Sequence, residues 1–360
     1  MPIVAHSDLP TFVDLHERGE PILSLDEALR QDIRELHIGL LNMMPDAALK
    51  VTERQFMQLV GGANQIVQVY VHPFTVPGLP RSAETQTYID RYYRPFDELR
   101  REGLDAIIVS GANVANPRLE AEPFWEPLLE IIGWAADNVT SIMCSCLATH
   151  ALVQHLHGVH RRPLQRKRWG VYPHRVVRRD HPLLYGINTR FDVPHSRWNE
   201  VTSAQLEAVG IQPLVESEEG DFHLGATEDG LRMVFMQGHP EYEINSLLKE
   251  YKREVQRFLA GDLAEVPPHP ERYLTPAAAR TAHRYLDRAV EAVRDGRTPP
   301  AFPDADLAEG LDNTWADTGR AVFNNWLGMV YRSIGLERGS GTGPGRDAAG
   351  GARSPVDAQP

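Results

Sequence analysis

The stretch SIMCSCLATHALVQHLHG (141–158) decides how the rest of the chain reads. It opens as a short apolar run of strand character and continues, from Leu147, with helical spacing. Both cysteines of the chain, Cys144 and Cys146, lie inside it. Cys144 falls within the strand, where a thiol is ordinarily a small core residue. Cys146 falls at the strand-to-helix turn, where a side chain projects from the end of a sheet. The first N–H groups of a helix favour a thiolate there and can donate to a developing oxyanion. A structural zinc site would want four ordered ligands, and beyond these cysteines only His150, four residues after Cys146, and the later His155 and His157 are at hand. A redox pair usually has C-x-x-C spacing. A nucleophile at Cys146 fits the stretch better than either.

Outward from this turn, ELHIGLLNMMP (35–45), QIVQVYVHPF (65–74), LDAIIVSGAN (104–113) and TSIMCS (140–145) read as buried strands. LKVTERQFMQLVG (49–61) and FWEPLLEIIGWAADN (124–138) read as the helices between them. Strands alternating with helices imply βαβ units and an open, mostly parallel sheet flanked by helices. Ligands gather outside the carboxyl ends of such strands. Asn42–Pro45, Ser110–Asn113 and Cys146 all fall at such ends. Further strands are expected at 170–177, 191–201, 221–229 and 231–242, and an amphipathic helix at 244–261. The expected organisation is an N-terminal extension (1–34), an α/β catalytic domain (35–262), an insertion or linker with a surface helix (263–312), a C-terminal helix packing on the catalytic domain (313–335) and a disordered tail (336–360).

Composition narrows the function classes. The chain has 360 residues, 42% of them hydrophobic and 24% charged, in the range of globular proteins. Its 37 basic and 49 acidic residues leave a net charge of −12. That disfavours nucleic acid or an anionic membrane as the main partner, because no overall positive field attracts phosphates. Two cysteines make no disulfide framework, and no segment has the pattern of a secretory signal or a membrane span. The expectation is a cytoplasmic protein.

A cysteine nucleophile needs a base, and the base needs orienting. In VFMQGHPEYE (234–243) an apolar strand ends in Gly238-His239-Pro240-Glu241, which puts His239 and Glu241 at the same end of the sheet as Cys146. Pro240 fixes a turn that can bring Glu241 back to the imidazole. The plainer reading of that motif, a Gly-Pro turn capped by a glutamate, stays open on these residues alone.

The elbow cysteine followed by His-Pro-Glu resembles the class I glutamine amidotransferase-like (flavodoxin-like) fold. LLNMMP (40–45), SGANVANPRLEAEPFW (110–125), GVYPHRV (170–176), HPLLYGI (181–187), VPHSRW (193–198), GHPEYE (238–243) and NNWLGMVY (324–331) are similar, in order, to the motifs of the homoserine O-succinyltransferase family. The resemblance covers nearly the whole chain. It implies an acyl-thioester on Cys146, His239 as general base and Glu241 as its partner. It also implies substrate contacts from Lys167, Ser196 and Arg253, and an oxyanion hole from backbone N–H groups at Leu147 and Gly111. In that family the position of Ala115 discriminates acyl donors. A small residue goes with succinyl-CoA, and a glutamate, which would repel the succinyl carboxylate, goes with acetyl-CoA. Ala115 therefore implies succinyl-CoA, with acetyl-CoA as the alternative donor and L-homoserine as the acceptor. No metal or bound cofactor is implied, and a homodimer is, with NNWLGMVY as a packing helix. The family's lysine pair after Met-Pro is absent: Asp46 and Ala47 stand there, and Lys50 lies further on. Two rivals remain. A glutaminase usually shows G-x-C-x-G, where this chain has Cys144 and Ala148. A catalytically silent sensor would have no need of Cys146, His239 and Glu241 together.

Overall fold

The computed structural model describes residues 2–62 and 67–339. Its strands are β1 (Ile3–Ala5), β2 (Ile22–Ser24), β3 (Glu35–Met43), β4 (Gln68–Phe74), β5 (Ala106–Ala112), β6 (Ser141–Ser145), β7 (Arg162–Val176), β8 (Arg190–Glu200), β9 (Gln212–Ser217), β10 (Phe222–Ala226) and β11 (Met233–Met236). They form one sheet in the order β2-β1-β4-β3-β5-β6-β11-β10-β9-β7-β8. The run from β2 to β11 is parallel, and from β11 onward each neighbour is antiparallel. The central strands read as unbroken apolar runs because both faces are covered. Ala106, Ile108 and Met143 point into one core, with Phe56 and Trp326 from the helices Asp46–Gly61 and Ala316–Gly339. Ile107, Val109, Ile142 and Cys144 point into the other, with Leu128 and Leu152 from the helices Trp125–Asn138 and Leu147–His157. That alternation is the period of two of a strand. Cys144 pairs in register with Val109 on one side and Phe235 on the other. The carboxyl ends of β5, β6 and β11 therefore lie side by side in the middle of the sheet.

Two parts of the expected organisation change, and the C-terminal helix packs on the catalytic domain as expected. Residues 2–34 are no appendage: β1 and β2 extend the parallel sheet beside β4, through Ile3 opposite Val69 and Ile3 opposite Ile22. Each has only three residues, too few for an alternation to show in the sequence. Residues 263–312 are more than a linker with a surface helix. Their helix Pro276–Arg294 buries Ala278, Ala282, Tyr285, Leu286 and Ala289 in a third core, against Leu247, Leu248, Tyr251 and Val255 of the helix Ser246–Leu259. The expected packing of the C-terminal helix takes up the apolar face of NNWLGMVY. Trp326 and Leu327 are fully buried in the chain's own core, and the Trp326 Nε1–H donates to Ser141 Oγ at 2.8 Å. That helix cannot also be the seam of a dimer through this face. The tail expected to be disordered lies, from residue 340, outside the described residues. Among the described residues no helix is long and apolar enough to cross a membrane.

Candidate active site

Cys146 stands between β6 and the helix Leu147–His157 with φ 52° and ψ −109°. A side chain in that region costs on the order of 1–3 kcal/mol and persists only where the surroundings impose it. Here they do. The Cys146 N–H donates to Met236 O at 2.8 Å, and the Thr149 hydroxyl sits between Met236 O and Cys144 O at 2.8 and 3.1 Å. The sharp turn leaves the Cys146 thiol half-buried at the carboxyl end of β6, while Cys144 is fully buried and its thiol is pushed far up by desolvation.

His239 follows β11 as Cys146 follows β6. Its N–H donates to Pro194 O at 2.8 Å, and its ring stacks on Tyr242 with centroids 4.4 Å apart. Nδ1 is 2.7 Å from Glu241 Oε1, and the imidazole also hydrogen-bonds the Cys146 side chain. With Nδ1 taken by Glu241, Nε2 is the nitrogen left for sulfur. Burial alone would lower the imidazole's pKa, but the Cys146 sulfur and then the Glu241 carboxylate hold it well above its usual value. Behind it, burial keeps His174, His195 and His223 neutral, His174 at about 4. His239 thus carries its proton without a competing histidine charge.

Gly111, at the end of β5, faces the same spot. A Cβ there would stand 3.8 Å from Cys146 Cβ and 4.0 Å from Leu147 N, in the space a thioester oxygen would enter beside the helix N-terminus. The bare backbone leaves it open. Ser110 fixes the turn, accepting from Met43 N–H at 2.9 Å and donating to Gly111 O at 2.8 Å.

On the far side of His239, Glu250 gathers several groups. It accepts from Ser196 Oγ at 2.6 Å, Trp169 Nε1 at 2.9 Å and Tyr242 Oη at 2.6 Å, and lies 3.6 Å from Lys167 Nζ. Burial would raise the Glu250 carboxyl's pKa, but Lys167, Ser196 and Tyr242 bring it below the usual value. Lys167 is lowered by the same burial and sits 4.0 Å over the Trp169 ring. Arg253 lies one helical turn on, half-exposed, with Glu254 3.7 Å away as its ion-pair partner. Lys167, Ser196 and Arg253 are therefore brought to one region, and Glu250 is the residue sequence reasoning missed. Its signal was its place three residues after Leu247, at the edge of the buried stripe rather than on the wet face. Ala115 lies in the exposed loop after β5, where its N–H and that of Asn116 donate to the buried Glu122 Oε1 at 2.7 and 2.5 Å. Lys50 is engaged elsewhere, with Nζ 4.5 Å over the Tyr88 ring.

An elbow cysteine with histidine and glutamate at the ends of adjacent parallel strands is the arrangement of a cysteine nucleophile with an oriented base. Among solved structures, a glutamine amidotransferase from Thermotoga maritima aligns over 82% of this chain and 98% of its own, at 10% identity and a TM-score of 0.46. The homoserine O-succinyltransferase family matches residues 2–336. The homoserine O-succinyltransferase of Methylococcus capsulatus is 56% identical over 94% of this chain and 95% of its own length. That of Allochromatium vinosum is 55% identical over 92% and 93%. The chain belongs to the homoserine O-succinyltransferase family, a family of acyltransferases.

Proposed function

We propose that Cys146 carries the acyl group as a thioester while the chain moves succinyl from succinyl-CoA to the hydroxyl of L-homoserine, a step of methionine biosynthesis. The observation that carries this reading is the Cys146 sulfur, held at a left-handed turn, on a histidine whose other nitrogen is 2.7 Å from a carboxylate. His239 holds the proton taken from the Cys146 thiol, and the sulfur attacks the thioester carbonyl. The oxyanion forms between the N–H groups of Leu147 and Gly111, where one such donor is worth about 10²-fold or more in rate. Coenzyme A leaves with the proton from His239, and the succinyl group stays on sulfur. Homoserine then binds against the Lys167–Ser196–Glu250 group, with Arg253 at its carboxylate. Neutral His239 takes the hydroxyl proton, oxygen attacks the acyl-enzyme, and Cys146 is released. No resident metal or cofactor enters these steps.

Intact-protein mass after mixing with succinyl-CoA, without homoserine, tests the reading. A succinyl adduct that homoserine discharges, absent in Cys146→Ser, is the expected result. No adduct in the wild type would sink it, and an adduct from acetyl-CoA alone would overturn the reading of Ala115. The same reading carries a cytoplasmic homodimer, to be checked by cell fractionation and light scattering.

A further inference from the structure

A succinyl group differs from a neutral acyl group by one carboxylate, and that charge needs a cation once it leaves water. The four-carbon diacyl chain reaches about 5 Å from sulfur, so the cation must stand close to Cys146. Two guanidiniums, Arg197 and Arg161, lie within electrostatic reach of the Cys146 sulfur. Arg197 is committed: it donates to Asp221 at 2.9 Å, to Asn199 O at 3.1 Å and to His195 Nδ1 at 3.3 Å. Lys167 is committed to Glu250. Arg161 differs. It is half-buried, makes no hydrogen bond or ion pair with any described residue, and is close enough to His150, Glu122 and Cys146 for their charges to be felt. Arg161 lies three residues beyond Gly158, the left-handed cap of the helix that Cys146 begins. The partner surface is there too. Glu122 accepts the N–H groups of Ala115 and Asn116, which pins that loop back beside Arg161.

We propose that Arg161 receives the distal carboxylate of the acyl group, so that the donor is chosen by a cation as well as by the room Ala115 leaves. This rests on the acyl-enzyme reading above. Glu122 is a positioning residue in it, holding the loop and balancing the Arg161 charge. The guanidinium is delivered to the acyl end of the donor, whereas the nucleotide end is common to every acyl-CoA.

The test compares succinyl-CoA with butyryl-CoA, which has the same chain length and no carboxylate. Wild type, Arg161→Ala and Arg161→Lys are assayed for kcat/KM with homoserine and for the rate of adduct formation by mass. In Arg161→Ala the succinyl-to-butyryl ratio is expected to fall between about 10- and 100-fold, the loss lying in succinyl-CoA. Arg161→Lys restores part of it. An equal loss with both donors would place Arg161 on the nucleotide, and an unchanged succinyl-CoA rate would leave it without a role; either overturns the proposal. Failure of the acyl-enzyme reading looks different, since wild type itself would then form no adduct.

Discussion

His239 is held protonated by two neighbours of opposite consequence, because Cys146 changes in the reaction and Glu241 does not. In the proposed mechanism, acylation removes the sulfur as a favourable neighbour of the imidazolium, so the imidazole's pKa falls and His239 can act as a base when homoserine binds. Glu241→Gln keeps an acceptor for Nδ1–H but removes the charge that steadies the imidazolium. A fall in kcat on the order of 10²-fold is expected, together with a downward move of the His239 titration, read by histidine NMR. The sign for stability follows from linkage. The folded pKa is raised, so its contribution is complete below about 6.5 and is lost as pH rises through the higher folded value. The difference in Tm between wild type and Glu241→Gln should be largest near pH 6 and shrink in alkaline buffer. A difference that grows with pH would contradict the assignment of Glu241 as the stabilising carboxylate.

The three elements that converge on the site do so through small residues at their ends. Gly238 lies two residues beyond β11, and a Cβ there would meet Val193 Cγ1 at 2.4 Å, His195 Cε1 at 2.9 Å and His223 Nδ1 at 2.9 Å. None of these is a free side-chain tip; all three residues are buried in the sheet behind His239. Gly238→Ala must push β8 or β10 aside, at a cost of about 1–3 kcal/mol, and it moves His239 off Cys146. A lowered Tm with a tenfold or greater loss of kcat is expected; full activity would mean the strand ends adapt freely. Much of this convergence was legible in the sequence. The long apolar strands β3, β5 and β6 announced themselves by composition, and the elbow by its strand-then-helix change of period. Short β1 and β2 did not, because their strand character comes from pairing with β4 rather than from pattern. Glu250 was hidden for a related reason: its partners Ser196 and Trp169 come from distant parts of the chain, and only folding shows that its carboxylate is enclosed.

At the scale of the whole molecule, the segment 263–312 decides where one substrate wall stands. The helix Ser246–Leu259 carries Glu250 and Arg253 on one side and gives Leu247, Leu248, Tyr251 and Val255 to the third core on the other. That core has no contribution from the central parallel strands; β7 supplies Trp169 and Val171, and Gly170 bridges to Glu271. The cysteine elbow rests instead on the large core that takes Cys144 and Leu147, and His239 meets the third core only through the Tyr242 ring. Weakening the third core should therefore separate the two half-reactions. Tyr285 is buried there with its ring 5.2 Å from Phe302, and Tyr285→Ala is expected to cost about 3 kcal/mol through the cavity it leaves. The helix would then sit less firmly, and the KM for homoserine should rise several-fold. Adduct formation from succinyl-CoA should stay within about twofold of wild type, since Cys146 and Gly111 stand at the ends of the central strands β6 and β5, which give nothing to that core. Stopped mixing with mass detection measures that first step alone, and steady-state kinetics measures the second. An equal loss in both would mean the segment supports the sheet as a whole, and that the acyl-donor and acceptor walls are one mechanical unit.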